Sequence, residues 1–95
     1  MDVKLTGTYK KWFKNLRDQR AKARIAIRIK RLSEGNPGDV KPVGQGVSEL
    51  RISYGPGYRV YFTQPDKEVI LLLVGGDKSS QDVDVARAKE LASNR

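Results

Sequence analysis

The stretch that most restricts the fold is Gly46-Val-Ser-Glu-Leu-Arg-Ile-Ser53, followed after a tight turn by Gly57-Tyr-Arg-Val-Tyr-Phe62. Alternation with period two in both pieces predicts an antiparallel hairpin. Leu50, Ile52, Tyr58, Val60 and Phe62 fall on one side of it, and Glu49, Arg51, Arg59 and Tyr61 on the other. The first side must be covered by other elements. The second gathers two guanidiniums, a carboxylate and a phenol on a surface expected to face water, and arginine forks suit phosphate.

Charge along the chain strengthens this reading. Residues 1–31 hold eleven Lys/Arg against Asp2 and Asp18, and the remaining residues hold eight against nine Asp/Glu. The basicity therefore belongs to the N-terminal third, which favours a polyanionic partner, nucleic acid or an acidic membrane surface. The longest apolar run, Val69 to Val74, is far short of the roughly 20 residues needed to cross a bilayer. The first residues, Met-Asp-Val-Lys-Leu, lack the apolar core of a signal peptide, so a cytoplasmic location is expected. With no cysteine there is no disulfide or thiolate site, and with no histidine the usual metal ligand and neutral-pH general base are missing. No metal and no cofactor are expected.

The 95 residues are expected to form one domain, residues 1–95. Residues 2–6 read as a short strand. Thr8 is the expected cap of a helix from Tyr9 to Arg17, with Trp12, Phe13 and Leu16 on its buried side. Asp18 caps a second helix running to Glu34, with Ala21, Ile25, Ile29 and Leu32 on one face. Arg20, Arg24, Arg28 and Arg31 form a stripe beside that face, and Ile27 falls off the apolar stripe. Residues 35–46 read as a Gly/Pro-rich loop. Strands are expected at 47–54, 57–64 and 67–75, the last apolar on both faces and hence central, with the second turn at Gln64-Pro65-Asp66-Lys67. Ser79 or Ser80 then caps a final helix that buries Val83, Ala86 and Leu91. Helices on one face of a mainly antiparallel sheet make an α+β domain.

Several pieces of text occur in a telling order: Arg31-Leu-Ser-Glu-Gly-Asn-Pro-Gly-Asp-Val-Lys-Pro-Val43, Gly46-Val-Ser-Glu-Leu-Arg-Ile52, Gly55-Pro-Gly-Tyr-Arg-Val-Tyr-Phe62 and Leu71-Leu-Leu-Val-Gly-Gly-Asp-Lys-Ser-Ser-Gln81. In this order and spacing the chain resembles the RelE/ParE superfamily of toxins, and within it the addiction-module killer proteins grouped with HigB. The resemblance implies a RelE-like fold, two N-terminal helices packed on a twisted, mainly antiparallel sheet of three to four strands, with a C-terminal helix. It implies a cognate antitoxin, often a helix-turn-helix protein, that silences the toxin. It also implies one of two targets: messenger RNA on the small ribosomal subunit, cut by an mRNA interferase, or DNA gyrase, inhibited without cleavage in the ParE branch. A degenerate, inactive co-repressor is the third reading.

Metal-free RNA cleavage requires the ribose 2′-hydroxyl to attack the adjacent phosphorus, leaving a cyclic phosphate and a free 5′-hydroxyl. A proton must be removed, charge on the phosphorane stabilised and the leaving oxygen protonated. Arg59 matches the arginine of the family's Gly-Tyr-Arg motif and is expected to stabilise the phosphate. Arg51, facing it across the hairpin, would grip the same or the next phosphate. Lys78, at the exit of the central strand, is the candidate proton donor. Glu49 is the candidate base or an orienting partner for Arg51, two readings of equal standing. Tyr61 is expected to stack on a base or bond a phosphate. Arg20, Arg24, Arg28, Arg31 and Lys14 suit the phosphates of a folded RNA, ribosomal RNA in this reading. Several superfamily nucleases carry a C-terminal histidine or aromatic where this chain ends Glu90-Leu-Ala-Ser-Asn-Arg95, a departure that bears on proton transfer and not on the arginines.

Overall fold

In the computed structural model, which describes residues 1–94, nine elements follow one another. They are β1 (Asp2–Leu5), α1 (Gly7–Lys14), α2 (Gln19–Ser33), β2 (Val40–Gly44), β3 (Val47–Ile52), β4 (Tyr58–Asp66), β5 (Val69–Gly76), a 3-10 turn (Lys78–Ser80) and α3 (Gln81–Ser93). The five strands form one sheet in the order β1-β5-β4-β3-β2, with β1 parallel to β5 and the other neighbours antiparallel. The protein is α+β with a mixed sheet of five strands, where three to four were expected. Its helices are separated by strands, α1 and α2 lying between β1 and β2 and α3 following β5.

The hairpin sorts its residues as the alternation requires. Leu50, Ile52, Val60 and Phe62 join Ile70 and Leu72 of β5 in a core with Tyr9 of α1 and Ile25 and Leu32 of α2. Trp12, Phe13, Leu16 and Tyr58 pack at its margin. The opposite side is also covered, which alternation did not reveal. Val47, Tyr61, Leu73 and Val74 are buried with Ala88 of α3, and Val85, Leu91 and Ala92 close over them. A bulge explains why both Leu73 and Val74 lie on this side: Tyr61 pairs with Val74 and Phe62 with Leu72, leaving Leu73 as the extra residue.

Several local expectations are corrected. The cap of α1 is Thr6 and not Thr8; its hydroxyl accepts from the Tyr9 amide at 3.0 Å and donates to the Leu73 carbonyl at 2.6 Å, tying the helix start to the bulge. Asp18 does cap α2, accepting from the amides of Arg20 and Ala21 at 2.9 and 3.1 Å. Residues 35–46 hold an edge strand, β2, because Pro42 is tolerated where an N–H would face solvent, and Gln45 and Gly46 turn with positive φ of 55° and 75°. The second turn falls later than expected, at Lys67 and Glu68, with the Asp66 carboxylate accepting from the Glu68 amide at 2.7 Å. On α3 the buried residue is Ala88, whereas Val83 is 73% exposed and Ala86 is exposed. No helix among the described residues is long and apolar enough to cross a membrane.

Candidate functional site

The hairpin register sets Arg51 directly opposite Arg59 and Glu49 directly opposite Tyr61. All four side chains therefore leave the same side of the sheet, the side that α3 covers. Glu49 is 1% exposed, the one charged residue in the core among the described residues. Its Oε2 accepts from the Tyr61 hydroxyl at 2.9 Å and from Gln81 Nε2, at the start of α3, at 3.0 Å. Arg59 Nε lies 3.5 Å from Oε2, and Arg51 Nε lies 3.8 Å from Oε1. A single carboxylate thus sits between two guanidiniums, at ion-pair distance from each Nε and without a hydrogen bond to either.

What remains free differs between the two arginines. The Arg59 side chain is 12% exposed and donates through Nη1 to the Gly57 carbonyl at 2.9 Å. The Arg51 side chain is 38% exposed, and the Nε that faces Glu49 lies closer to the exposed Asp39 carboxylate, at 3.3 Å. Gly57 adopts φ of 80°, and a Cβ there would approach Arg59 Nη1 to 3.3 Å and the Lys78 Cβ to 3.6 Å. The 3-10 turn is held against this loop by the Lys78 amide, which donates to the Pro56 carbonyl at 3.4 Å. Lys78 is consequently exposed at the rim, beside Arg59.

Two acids complete the rim. Asp77 caps the 3-10 turn, and its carboxyl is held below the ordinary range chiefly by the Ser79 hydroxyl, with a lesser contribution from Arg59. Asp84, one turn into α3, accepts from the Ser80 hydroxyl at 2.6 Å, yet its carboxyl is raised because burial disfavours its charge. The Tyr61 hydroxyl is driven up, first by burial and then by Glu49.

The structure brings together Glu49, Arg51 and Arg59, and it places the Lys78 backbone against the Gly57 turn next to Arg59. It separates Tyr61 from solvent: the ring is fully enclosed beneath α3, so the expected stacking on a base has no open face to use. Glu49 is likewise enclosed, which suits the orienting reading over that of a base reaching substrate. Gln81 and Asp39 were not singled out from the sequence. Gln81 ends the quoted Leu71–Gln81 text, and that position was the available signal. Along α2, Arg20, Arg24 and Arg31 are exposed, as is Lys14 on α1. Arg28 is committed to the fold: Nη1 donates to the Arg51 carbonyl and Nη2 to the Pro37 carbonyl at 2.9 Å, fastening the 35–39 loop and β3 to α2. Among the described residues no group of three or more His, Cys, Asp or Glu side chains is arranged to hold a metal ion.

An α+β chain with this polar cluster matches a known family over residues 11–95, phage-derived Gp49-like proteins (DUF891). The chain belongs to that family. It is also similar to an uncharacterized protein of Haemophilus influenzae (strain Rd), 50% identical over 92 residues that span 97% of this chain and 93% of the relative. No solved structure matches it.

Proposed function

We propose that the protein is the toxin of a toxin–antitoxin pair, of RelE-like fold and HigB-like kind, acting in the cytoplasm as a ribosome-dependent endoribonuclease. The Gp49-like family is associated with the toxins of toxin–antitoxin pairs, and that association implies an antitoxin as partner. The observation that carries the nuclease reading is the facing pair Arg51 and Arg59, both anchored on the enclosed carboxylate of Glu49.

In this reading the two guanidiniums receive the scissile phosphate and stabilise the charge that develops when the 2′-hydroxyl attacks phosphorus. Lys78, at the rim beside Arg59, gives its proton to the departing 5′-oxygen. Glu49 positions the arginines and does not touch RNA. The 2′-hydroxyl proton leaves to water or to a phosphate oxygen. Such a site depends on having its substrate held in line, and a message threaded through the ribosome supplies that order. Arg20, Arg24, Arg31 and Lys14 then face the phosphates of ribosomal RNA, sequence-independent contacts that add to salt dependence.

The test is to express the wild type and Arg59→Ala under tight control and map RNA 5′ ends on translated messages. Codon-linked cuts that fall about 10²- to 10³-fold in Arg59→Ala are expected. Growth arrest without cuts, preceded by DNA-damage signalling and indifferent to Arg59→Ala, would instead identify a gyrase-directed toxin and remove the nuclease reading.

A further inference from the structure

Ile27 has no role in the core or in the proposed scissile site. It is 50% exposed in the middle of a basic helix face. It lies in a cleft of about 330 Å³ whose walls are Arg24, Ile27, Arg28 and Arg31 of α2 and Ile52 and Ser53 at the end of β3. The four helix residues sit at spacings of three and four, so they form one continuous face.

Three features make this cleft a prepared site. Its floor is aliphatic, formed by Ile27 and Ile52, while its rim is cationic. Arg24 is oriented in advance: its guanidinium lies over the Tyr54 ring at 4.7 Å, and the Tyr54 hydroxyl donates to the Asp18 carboxylate at 2.9 Å. Arg28 fixes the remaining wall, because its bonds to the Arg51 and Pro37 carbonyls hold β3 and the 35–39 loop at a set distance from the helix. A guanidinium stacked on one ring offers its second face to another, which is how arginine planes receive unpaired bases. The cleft also lies close to the proposed scissile site, since the same β3 residue, Arg51, accepts a hydrogen bond from Arg28 at its carbonyl and ion-pairs with Asp39 and Glu49 through its side chain.

We propose that this cleft is a nucleotide subsite, taking one unpaired base of single-stranded RNA between Arg24 and the Ile27–Ile52 floor, with Arg31 on the flanking phosphate. The choice of ribonucleotide rests on the ribonuclease reading above. The subsite adds to it a contact with a base, beyond the phosphate contacts of the arginine stripe. Its position on the opposite side of β3 from the Arg51 side chain gives an RNA strand two points of attachment around one end of the sheet.

The experiment is methyl NMR of the full chain with labelled isoleucines, titrated with AMP and UMP and, in parallel, with ribose 5-phosphate. A nucleotide base over the cleft moves the Ile27 δ1 methyl upfield by its ring current, which the sugar phosphate lacks. Ile27→Asp, at an exposed position and followed through the Ile52 δ1 methyl, should weaken binding about 5- to 150-fold, the usual contribution of one stacked base. Arg24→Ala should do the same. Equal shifts with ribose 5-phosphate reduce the cleft to a phosphate contact and overturn the proposal. So does silence with every nucleotide while an acidic, leucine-bearing peptide saturates the cleft, which would mark a groove for protein. Cuts in translated messages with no nucleotide shift at Ile27 sink the subsite alone, whereas a shift without cuts sinks the nuclease reading alone.

Discussion

Replacing Glu49 with glutamine keeps the shape of the side chain and removes its charge. At an effective dielectric of about 20, a unit charge at the 3.5 Å and 3.8 Å separations seen to Arg59 and Arg51 contributes about 4–5 kcal/mol per pair. Taking the carboxylate out of water costs several kcal/mol, so the net is smaller than the sum. Breaking a buried pair by neutralising one member costs about 3–5 kcal/mol, and the lower end applies here because Arg51 reaches solvent and Tyr61 still finds an acceptor. A loss of about 3 kcal/mol is large beside the roughly 5–14 kcal/mol expected for a chain of this length. It should lower Tm by about 12–24 °C. Urea unfolding of the wild type, Glu49→Gln, Arg59→Gln and the double variant closes a cycle, and a coupling above about 1.5 kcal/mol is expected between the two positions. A single-variant loss below about 1 kcal/mol, or additivity within about 0.5 kcal/mol, would refute the view that this carboxylate holds the arginines.

Three further outcomes follow from the same geometry. Asp39 competes with any phosphate for Arg51 from an exposed position, so Asp39→Asn should leave stability nearly unchanged. It should tighten binding of a 2′-O-methyl RNA about 2- to 5-fold in fluorescence anisotropy, and unchanged affinity would separate Arg51 from RNA. Gly75→Ala would place a Cβ within the Trp12 ring, so α1 must shift on β5; a cost of about 1–3 kcal/mol and a red-shifted emission from the chain's one tryptophan are expected. Asp84 is raised by burial, so in the folded state it binds its proton more tightly than the unfolded chain does; its contribution is present below the unfolded value near 4 and is lost as pH rises through the folded one. Asp84→Asn should therefore gain on the wild type from acid towards neutral pH in thermal melts, and parallel pH profiles would contradict this assignment.

Some of this was legible from residue order and some was not, for physical reasons. Alternation through 47–62 assigns each side chain to a face, because a strand allows only two directions, and Glu49, Arg51, Arg59 and Tyr61 do share one. Alternation says nothing about what lies over a face. The cover comes from α3, about 30 residues downstream, through Ala88 and Ala92 and the sides of Val85 and Leu91. Alanines are weak markers of burial, and the conspicuous Val83 on the same helix points to solvent. The polar side therefore read as wet. The edge strand β2 was hidden by its own composition: Pro42, Gly44 and Gly46 are turn residues in isolation, and only an edge position reconciles Pro42 with a strand. Arg28 shows the same limit, since spacing groups it with Arg24 and Arg31 while its hydrogen bonds set it apart.

The covering helix also changes what the arginine pair can be. On an open hairpin, Glu49 would be solvated, and each attraction to a guanidinium would fall to about 1 kcal/mol at these distances. Two long side chains would then sample many rotamers, and a phosphate would have to order both on arrival. Beneath α3 the same carboxylate is fixed by Tyr61 from β4 and by Gln81 from the helix itself. The forks are aimed before any ligand comes, which is the condition for electrostatic stabilisation without reorganisation. The sheet thus decides which groups meet, and the seating of α3 through Gln81 decides whether they are held. A Gln81→Ala variant, which keeps both arginines and the sheet, should on this argument lose the proposed RNA cleavage while retaining most of its fold. Loosened α3 amides in hydrogen exchange would accompany that loss. Full cleavage in Gln81→Ala would mean that the arginines need no such anchor.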